Sequence, residues 1–169
     1  MTIYYKPTNL ESYVSESFKK LHIYEPGQID KSYIAEKLGI YLSYSACKPF
    51  AHEEDDFKLI NLNKFAPKKN QLEHFYHELN HLLRHAGDQM TLPKPMIDWQ
   101  EWDCKNFMLY AAIPFHMIHY LQPFEYVNIK HLSDTFGVTE NLIVERLQQI
   151  KRRREMYLLE SSHVPTCIY

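Results

Sequence analysis

The sequence is poor in glycine, poor in cysteine and without a long apolar run, and each shortage argues against a class of protein. Four glycines and thirteen tyrosines in 169 residues argue against a loop-rich or disordered chain. Cys47, Cys104 and Cys167 are odd in number, widely spaced and without a C-x-x-C pair, which argues against a disulfide framework or a thiolate zinc knuckle. We therefore expect one compact protein in a reducing compartment.

Membrane segments and strong charge are also missing. No run approaches the roughly 20 apolar residues that span a bilayer, and the opening MTIYYKPTNLESY lacks the basic and apolar regions of a signal peptide. The formal net charge is only −2, which gives no overall attraction to nucleic acid or to an anionic membrane. We expect a cytoplasmic protein with no membrane contact and no direct nucleic-acid binding.

Helix signals dominate the start of the chain. Thr8 followed by Glu11 forms a capping box for a first helix. Asp30 is a good N-cap for a short second helix, and Gly39 is well placed as the left-handed residue that ends it. The first 39 residues should therefore hold two helices.

A small sheet and a third helix follow. IYLSYSA and FKLINLN, residues 40–46 and 57–63, predict two strands of a small antiparallel sheet separated by a polar stretch. Apolar residues at helical spacing predict a helix over residues 70–86, with Gly87 as its stop. Since helical patterns resume near Asp98, the order of helices, sheet and helices predicts an α+β fold.

The C-terminal part resembles a helix-turn-helix. Residues 128–158 are helical in pattern, with Gly137 at the turn and Thr139 as a cap. We expect a zincin-like domain over residues 1–123 and a C-terminal helical module and tail over residues 124–169.

The segment HFYHELNHLLRH, residues 74–85, raises the question of a metal site. Its four histidines and Glu78 fall on one arc of roughly a quarter turn, opposite the apolar face. A solvated polar face is the alternative interpretation. HELNH, however, fits H-E-x-x-H, in which His77 and His81 point at one zinc ion and Glu78 takes a proton from zinc-bound water.

A catalytic zinc needs a third protein ligand and an open position for water. Six residues are candidates: His85, Glu101, Asp103, Cys104, His116 and His119. Glu101 is best placed, because a helix that crosses the first can present a carboxylate from its opening turn. Its alternative role is the partner of an Asp98 cap.

The segments FKLINLN, HFYHELNHLLRH and WQEWDCKNFMLYAAIP resemble the ImmA/IrrE family of zinc-dependent metallopeptidases over about residues 30 to 150. The family pattern joins an H-E-L-G-H-x-x-L-H helix to E-x-E-A-N/D-x-F-A-x-x-L-L-x-P. On that pattern His77, Glu78 and His81 take the motif positions, and His85 matches the trailing histidine. Glu101 falls on the first glutamate, which makes it the third zinc ligand.

The sequence departs from the pattern near this site. Asn80 replaces the usual glycine, Asp103 and Cys104 replace Glu-Ala, and Lys105 stands where Asn or Asp is common. The metal triad is kept, but a residue that supports the ligands is expected to be missing.

The resemblance implies a cytoplasmic zinc endopeptidase that cleaves a helix-turn-helix repressor and so derepresses a prophage, an integrative element or stress genes. We expect one zinc ion per chain, with occupancy falling below about pH 6. Glu78 then acts as base and afterwards as acid. A DNA-binding regulator that uses residues 128–154 and a non-catalytic protein stabilised by metal are the alternatives.

Two surfaces are candidates for substrate contact. An extended segment of substrate is expected along residues 57–63, where strand addition fixes its backbone, although an ordinary core strand is an equal alternative. Residues 128–158 are expected to help choose the repressor, with Glu140, Arg146 and the basic cluster at 151–154 exposed for docking.

Overall fold

Residues 5–85, 92–121 and 127–162 are described by a computed structural model of the chain. Within these ranges six α-helices and two short 3-10 helices surround a three-stranded sheet, so the predicted α+β fold is confirmed. Gly87 and the boundary predicted at 123–124 fall outside the described residues, and the division into two domains stays a prediction. None of the described helices combines the length and the apolar character that crossing a bilayer requires.

The first two helices begin where the sequence predicts, and the second also ends as predicted. In α1 (Asn9–Lys20), the Thr8 side chain accepts a hydrogen bond from the backbone of the third helical residue, completing a capping box. In α2 (Lys31–Lys37), Asp30 is the N-cap. Gly39 follows at φ 67°, a left-handed conformation that costs glycine no steric penalty.

The sheet has three strands, β1 (Ile40–Ser45), β2 (Phe50–Glu54) and β3 (Phe57–Asn63), in the order β1-β3-β2. β1 pairs with β3 in parallel, and β2 pairs with β3 antiparallel. The expected antiparallel pairing of the two predicted strands is therefore wrong. The polar stretch between the two predicted strands contains β2. Its polar side chains fit this position, because most of the strand faces solvent.

The central position of β3 corrects a second expectation. Both of its edges are occupied, by β1 on one side and β2 on the other, so a substrate cannot add to residues 57–63. Ile60 and Leu62 of this strand are fully buried, which identifies it as a core strand. The sheet edge on the side of the histidine helix is β2.

The histidine helix, α3 (Lys68–Arg84), packs one face into the core. Phe75 is fully buried and Leu79 nearly so. This apolar stripe turns the histidine arc away from the core, as the helical period predicts.

The next helix, α4 (Lys94–Ala112), packs against α3. It begins one turn earlier than the sequence predicts, and Asp98 lies inside it, where its carboxylate accepts a hydrogen bond from Lys94 at 3.1 Å. The alternative role of Glu101 as the partner of an Asp98 cap is therefore excluded. Pro114 ends the helix, and a 3-10 helix follows over Phe115–Leu121.

The C-terminal helices are α5 (Ile129–Phe136) and α6 (Glu140–Ser162). Gly137 joins them at φ 69°, in the left-handed conformation expected at the turn. The backbone N–H of Thr139, just before α6, donates to Glu73 of α3 at 2.6 Å. The two helices share an apolar face that is buried or partly buried; its residues are Phe136, Val138, Leu142, Ile143 and Leu147.

The sequence predicts that Arg146 of α6 is exposed for docking. This prediction is wrong, because the residue is fully buried. Its guanidinium pairs with the carboxylate of Glu11, which is also fully buried and accepts a hydrogen bond from the Tyr5 hydroxyl. The Arg146 guanidinium also donates to the Ile113 carbonyl at 3.1 Å and to the Gln149 side chain at 2.8 Å. This cluster ties the N-terminal segment and the end of α4 to α6.

Candidate metal centre

His77 and His81 lie one turn apart on α3 and converge on one point. Their Nε2 atoms are 3.2 Å apart, and the ring planes meet at 69°. One neutral imidazole can donate a hydrogen bond to the other at this distance, and the same arrangement also suits two ligands of a shared cation.

Glu101 reaches the same point from α4. One carboxylate oxygen lies 3.4 Å from His77 Nε2, and the other lies 3.5 Å from His81 Nε2. The crossing of α3 and α4 brings together the three residues that the sequence proposes as metal ligands.

Cys104 is a second donor from α4, one turn beyond Glu101. The side chain is fully buried, and its Sγ lies 3.4 Å from His81 Nε2. The donor atoms of His77, His81 and Cys104 all lie within 4.8 Å of one another. The sequence ranks Cys104 below Glu101, yet the spacing of three residues on one helix already predicts that both face the same side.

The distances fit a tetrahedral metal ion. Zinc–nitrogen bonds of about 2.05 Å and a zinc–sulfur bond of about 2.3 Å at tetrahedral angles separate two nitrogens by about 3.3 Å and nitrogen from sulfur by about 3.6 Å. The observed separations are 3.2 Å for the two histidines and 3.4 Å for His81 and Cys104. These two separations thus match those between ligands of a tetrahedral metal site.

The electrostatic environment keeps both histidines neutral. The pKa of His81 is lowered to about 4, mainly by burial. The neighbouring His77 also lowers this pKa, and its effect is larger than the opposing effect of Glu101. Burial also lowers the pKa of His77, against the opposing charge of Glu101. Neutral imidazoles keep the lone pairs that bind a metal.

Glu78 lies beside the ligands and against the edge strand. Burial, together with the charge of Glu101, raises the pKa of the Glu78 carboxyl to about 7, while a hydrogen bond from the Ala51 backbone opposes the rise. A carboxylate with a pKa near neutrality can both accept and return a proton. The contact with Ala51 of β2 has no signal in the sequence.

A polar network lies behind the ligands. Asp103 is buried and accepts hydrogen bonds from Arg84 at 3.0 Å and from Asn80 at 3.0 Å. Burial alone would raise the pKa of Asp103, but these bonds and the charge of Arg84 hold it below its usual range. His85 lies 3.2 Å from the same carboxylate, so it belongs to this network. Asp103 thus contacts Arg84, Asn80 and His85, none of which is a metal ligand predicted from the sequence.

Asn80 connects this network to the sulfur. Its amide donates to Cys104 Sγ at 3.1 Å as well as to Asp103. Burial raises the pKa of the Cys104 thiol to about 12, although the Asn80 amide opposes the rise. In the absence of a cation the thiol is therefore protonated at neutral pH.

The remaining candidate ligands have other partners. His116 contacts the Ser15 hydroxyl at 2.8 Å and the Ile23 carbonyl at 3.0 Å. His119 contacts the carbonyl of His116 at 3.1 Å. Both contacts fit structural roles.

A cleft of about 510 Å³ opens beside the donors. Its lining includes His77 and Glu101 of the centre and Thr139 and Glu145 at the start of α6. Lys105, also in the lining, pairs with Glu145 at 3.0 Å. The cleft therefore joins the candidate centre to the C-terminal helices.

The chain is similar to known proteins over most of its length. The phage-like element PBSX protein XkdA of Bacillus subtilis (strain 168) is 28% identical over 149 residues, which cover 87% of this chain and 75% of that protein. The uncharacterized protein YqaB of the same strain is 29% identical over 163 residues, which cover 94% and 93%. No solved structure matches the chain significantly. The peptidase M78 family model, described as an IrrE N-terminal-like domain, matches residues 35–148, and the chain therefore belongs to this family.

Proposed function

We propose that the protein is a zinc-dependent endopeptidase with His77, His81 and Glu101 as metal ligands and Glu78 as the catalytic residue. The observation that carries the proposal is the convergence of two imidazoles 3.2 Å apart with a carboxylate 3.4 to 3.5 Å away. Membership of a peptidase family supports the same activity.

The chain's own residues divide the chemistry between them. When bound, zinc supplies Lewis acidity that polarises the scissile carbonyl and acidifies water. His77, His81 and Glu101 hold the ion between two crossing helices. Glu78 accepts a proton from the attacking water at its carboxylate and passes it to the leaving amine. The hydrogen bond from Ala51 keeps this carboxylate against the sheet.

The substrate is proposed to lie along β2. Since the Ala51 backbone donates to Glu78, the outer edge of β2 faces the catalytic residue. A substrate strand on this edge satisfies its backbone hydrogen bonds and carries its scissile bond past Glu78. This assignment replaces β3, whose edges are both paired.

The proposed substrate is a helix-turn-helix repressor of a mobile element. The resemblance to the ImmA/IrrE family implies this partner, and one relative is a phage-like element protein by its printed name. The cleft between the metal centre and α6 provides a second contact surface, which a backbone-only interaction would lack.

The test is to incubate the purified protein with the repressor encoded beside its own gene. We expect cleavage that is lost with a chelator and restored by zinc. Glu78→Gln should bind zinc as the wild type does but should not cleave. The Glu36→Gln variant, changed at an exposed carboxylate of α2 outside the cleft, controls for the loss of one acidic group.

Two outcomes would redirect the proposal. If Glu78→Gln performs the protein's cellular role as well as the wild type, the metal stabilises an interaction protein and the enzyme proposal fails. If the chain binds promoter DNA and charge reversal within residues 151–154 abolishes binding, the DNA-binding alternative replaces it.

A further inference from the structure

We propose that Cys104 is a fourth protein ligand of the metal, beside His77, His81 and Glu101, and that it occupies the position a peptidase needs for water. The inference rests on the metal centre proposed above. It concerns a residue that departs from the family pattern and that the catalytic role of Glu78 does not require.

The position of the Cys104 sulfur supports its role as a ligand. Cys104 and Glu101 are one turn apart on α4, as His77 and His81 are on α3, so each helix offers two donors. The sulfur is 3.4 Å from His81 Nε2, close to the nitrogen–sulfur edge of a zinc tetrahedron, which is about 3.6 Å. Thiolate is also among the preferred ligands of zinc.

The contact between Cys104 and Asn80 supports the same role. Its amide donates to the sulfur at 3.1 Å, an orientation that favours negative charge on the sulfur. Asn80 and Cys104 are both departures from the family pattern, and they contact each other inside the protein, where both are fully buried. Asp103 and His85 each lie 3.0 Å from the same amide nitrogen, so its two N–H groups are shared among three acceptors.

Four protein ligands close a zinc site, whereas a catalytic site keeps one position open. Metal binding forms a sulfur–metal bond as the thiol proton leaves to solvent. Water can then reach the ion only when the sulfur moves away. We therefore infer that the resting enzyme is latent in part: it cleaves its substrate slowly, because Cys104 must first be displaced.

Cobalt(II) tests the ligation directly. In a full-length background that carries Cys47→Ala and Cys167→Ala, any thiolate-to-cobalt charge-transfer band must come from Cys104. We expect one cobalt ion per chain and a strong near-ultraviolet band. Cys104→Ser and Cys104→Ala in this background should still bind cobalt, but should lose the band. Circular dichroism checks their fold, and the near-isosteric serine variant covers a failure of the alanine variant to fold.

The outcomes separate this inference from the proposed function. Cobalt bound with visible d–d bands but without the charge-transfer band would overturn ligation by Cys104 and leave the metal centre intact. A charge-transfer band that survives in both Cys104 variants would overturn it as well. Failure of the protein to bind cobalt or zinc at all would overturn both the inference and the proposed centre.

Peptidase activity tests the latency. Cys104→Ala, loaded with one zinc ion, should cleave the repressor faster than the Cys47→Ala control, because water enters without displacing a ligand. An equal or lower rate, with the cobalt band lost as expected, would overturn the closure of the site by Cys104.

Discussion

Replacing Arg146 by methionine should destabilise the protein far more than an ordinary loss of charge. The change leaves the Glu11 carboxylate without its counter-ion, and both side chains are 0% exposed. Removing one partner of a buried ion pair costs about 3–5 kcal/mol. With an unfolding entropy of about 2.1 cal/mol/K per residue, this loss lowers the Tm of a chain of 169 residues by about 8–14 °C.

The matched control is Lys105→Met, which removes an ion pair whose side chains are 63% and 46% exposed. Pairs of this kind contribute about 0–1 kcal/mol, so the Tm should fall by less than about 3 °C. Thermal unfolding followed by circular dichroism measures both variants. The double variant Glu11→Gln, Arg146→Met leaves no buried charge at this site. Its loss of unfolding free energy should therefore be smaller than the sum of the losses in the two single variants. A Tm loss for Arg146→Met no larger than the control, or strict additivity of the pair, would refute the reasoning.

Three further predictions concern the metal and the substrate. Glu101→Ala should keep less zinc than the wild type after dialysis, measured by elemental analysis, whereas Asp103→Ala should keep as much as the wild type; the reverse result would transfer the ligand role to Asp103. Because burial lowers the pKa of His81 to about 4, zinc occupancy should hold to about pH 5, lower than the free histidine pKa of about 6.5 suggests; loss near pH 6 would contradict this. Reversing the charges of Arg152 and Arg153 should slow cleavage of the repressor at low salt but not cleavage of a short peptide that spans the cut site. Equal slowing of both substrates, or none, would exclude a docking role.

The histidine helix could be predicted because its signals are local. The spacing of His77, Glu78 and His81 and the apolar residues opposite them lie within a few turns of one helix, where periodicity alone determines which side chains share a face. Thr8 and Asp30 cap their helices for the same reason. Glu101 could be ranked first from its place on the following helix and from the family pattern.

The features that the sequence did not reveal depend on contacts between distant segments. Arg146 and Glu11 are 135 residues apart, and a basic residue on a helix is expected to face solvent until its partner is known. β2 is a polar edge strand that only its pairing with β3 defines. The direction of β1 likewise follows from the connection through β2 rather than from its own residues.

The contact between Glu73 and Thr139 has a consequence for chain length. Glu73 contacts the residue just before α6, and His77, four residues later on α3, is a proposed metal ligand. One residue inserted between them would rotate one group relative to the other by about 100° and shift it by about 1.5 Å along the helix. Neither contact could then form without breaking the other. The turn between Glu54 and Phe57 carries no such constraint, since it joins two paired strands on the solvent side of the sheet. Related chains of different length should therefore differ at that turn, while the four-residue interval in α3 is fixed by geometry.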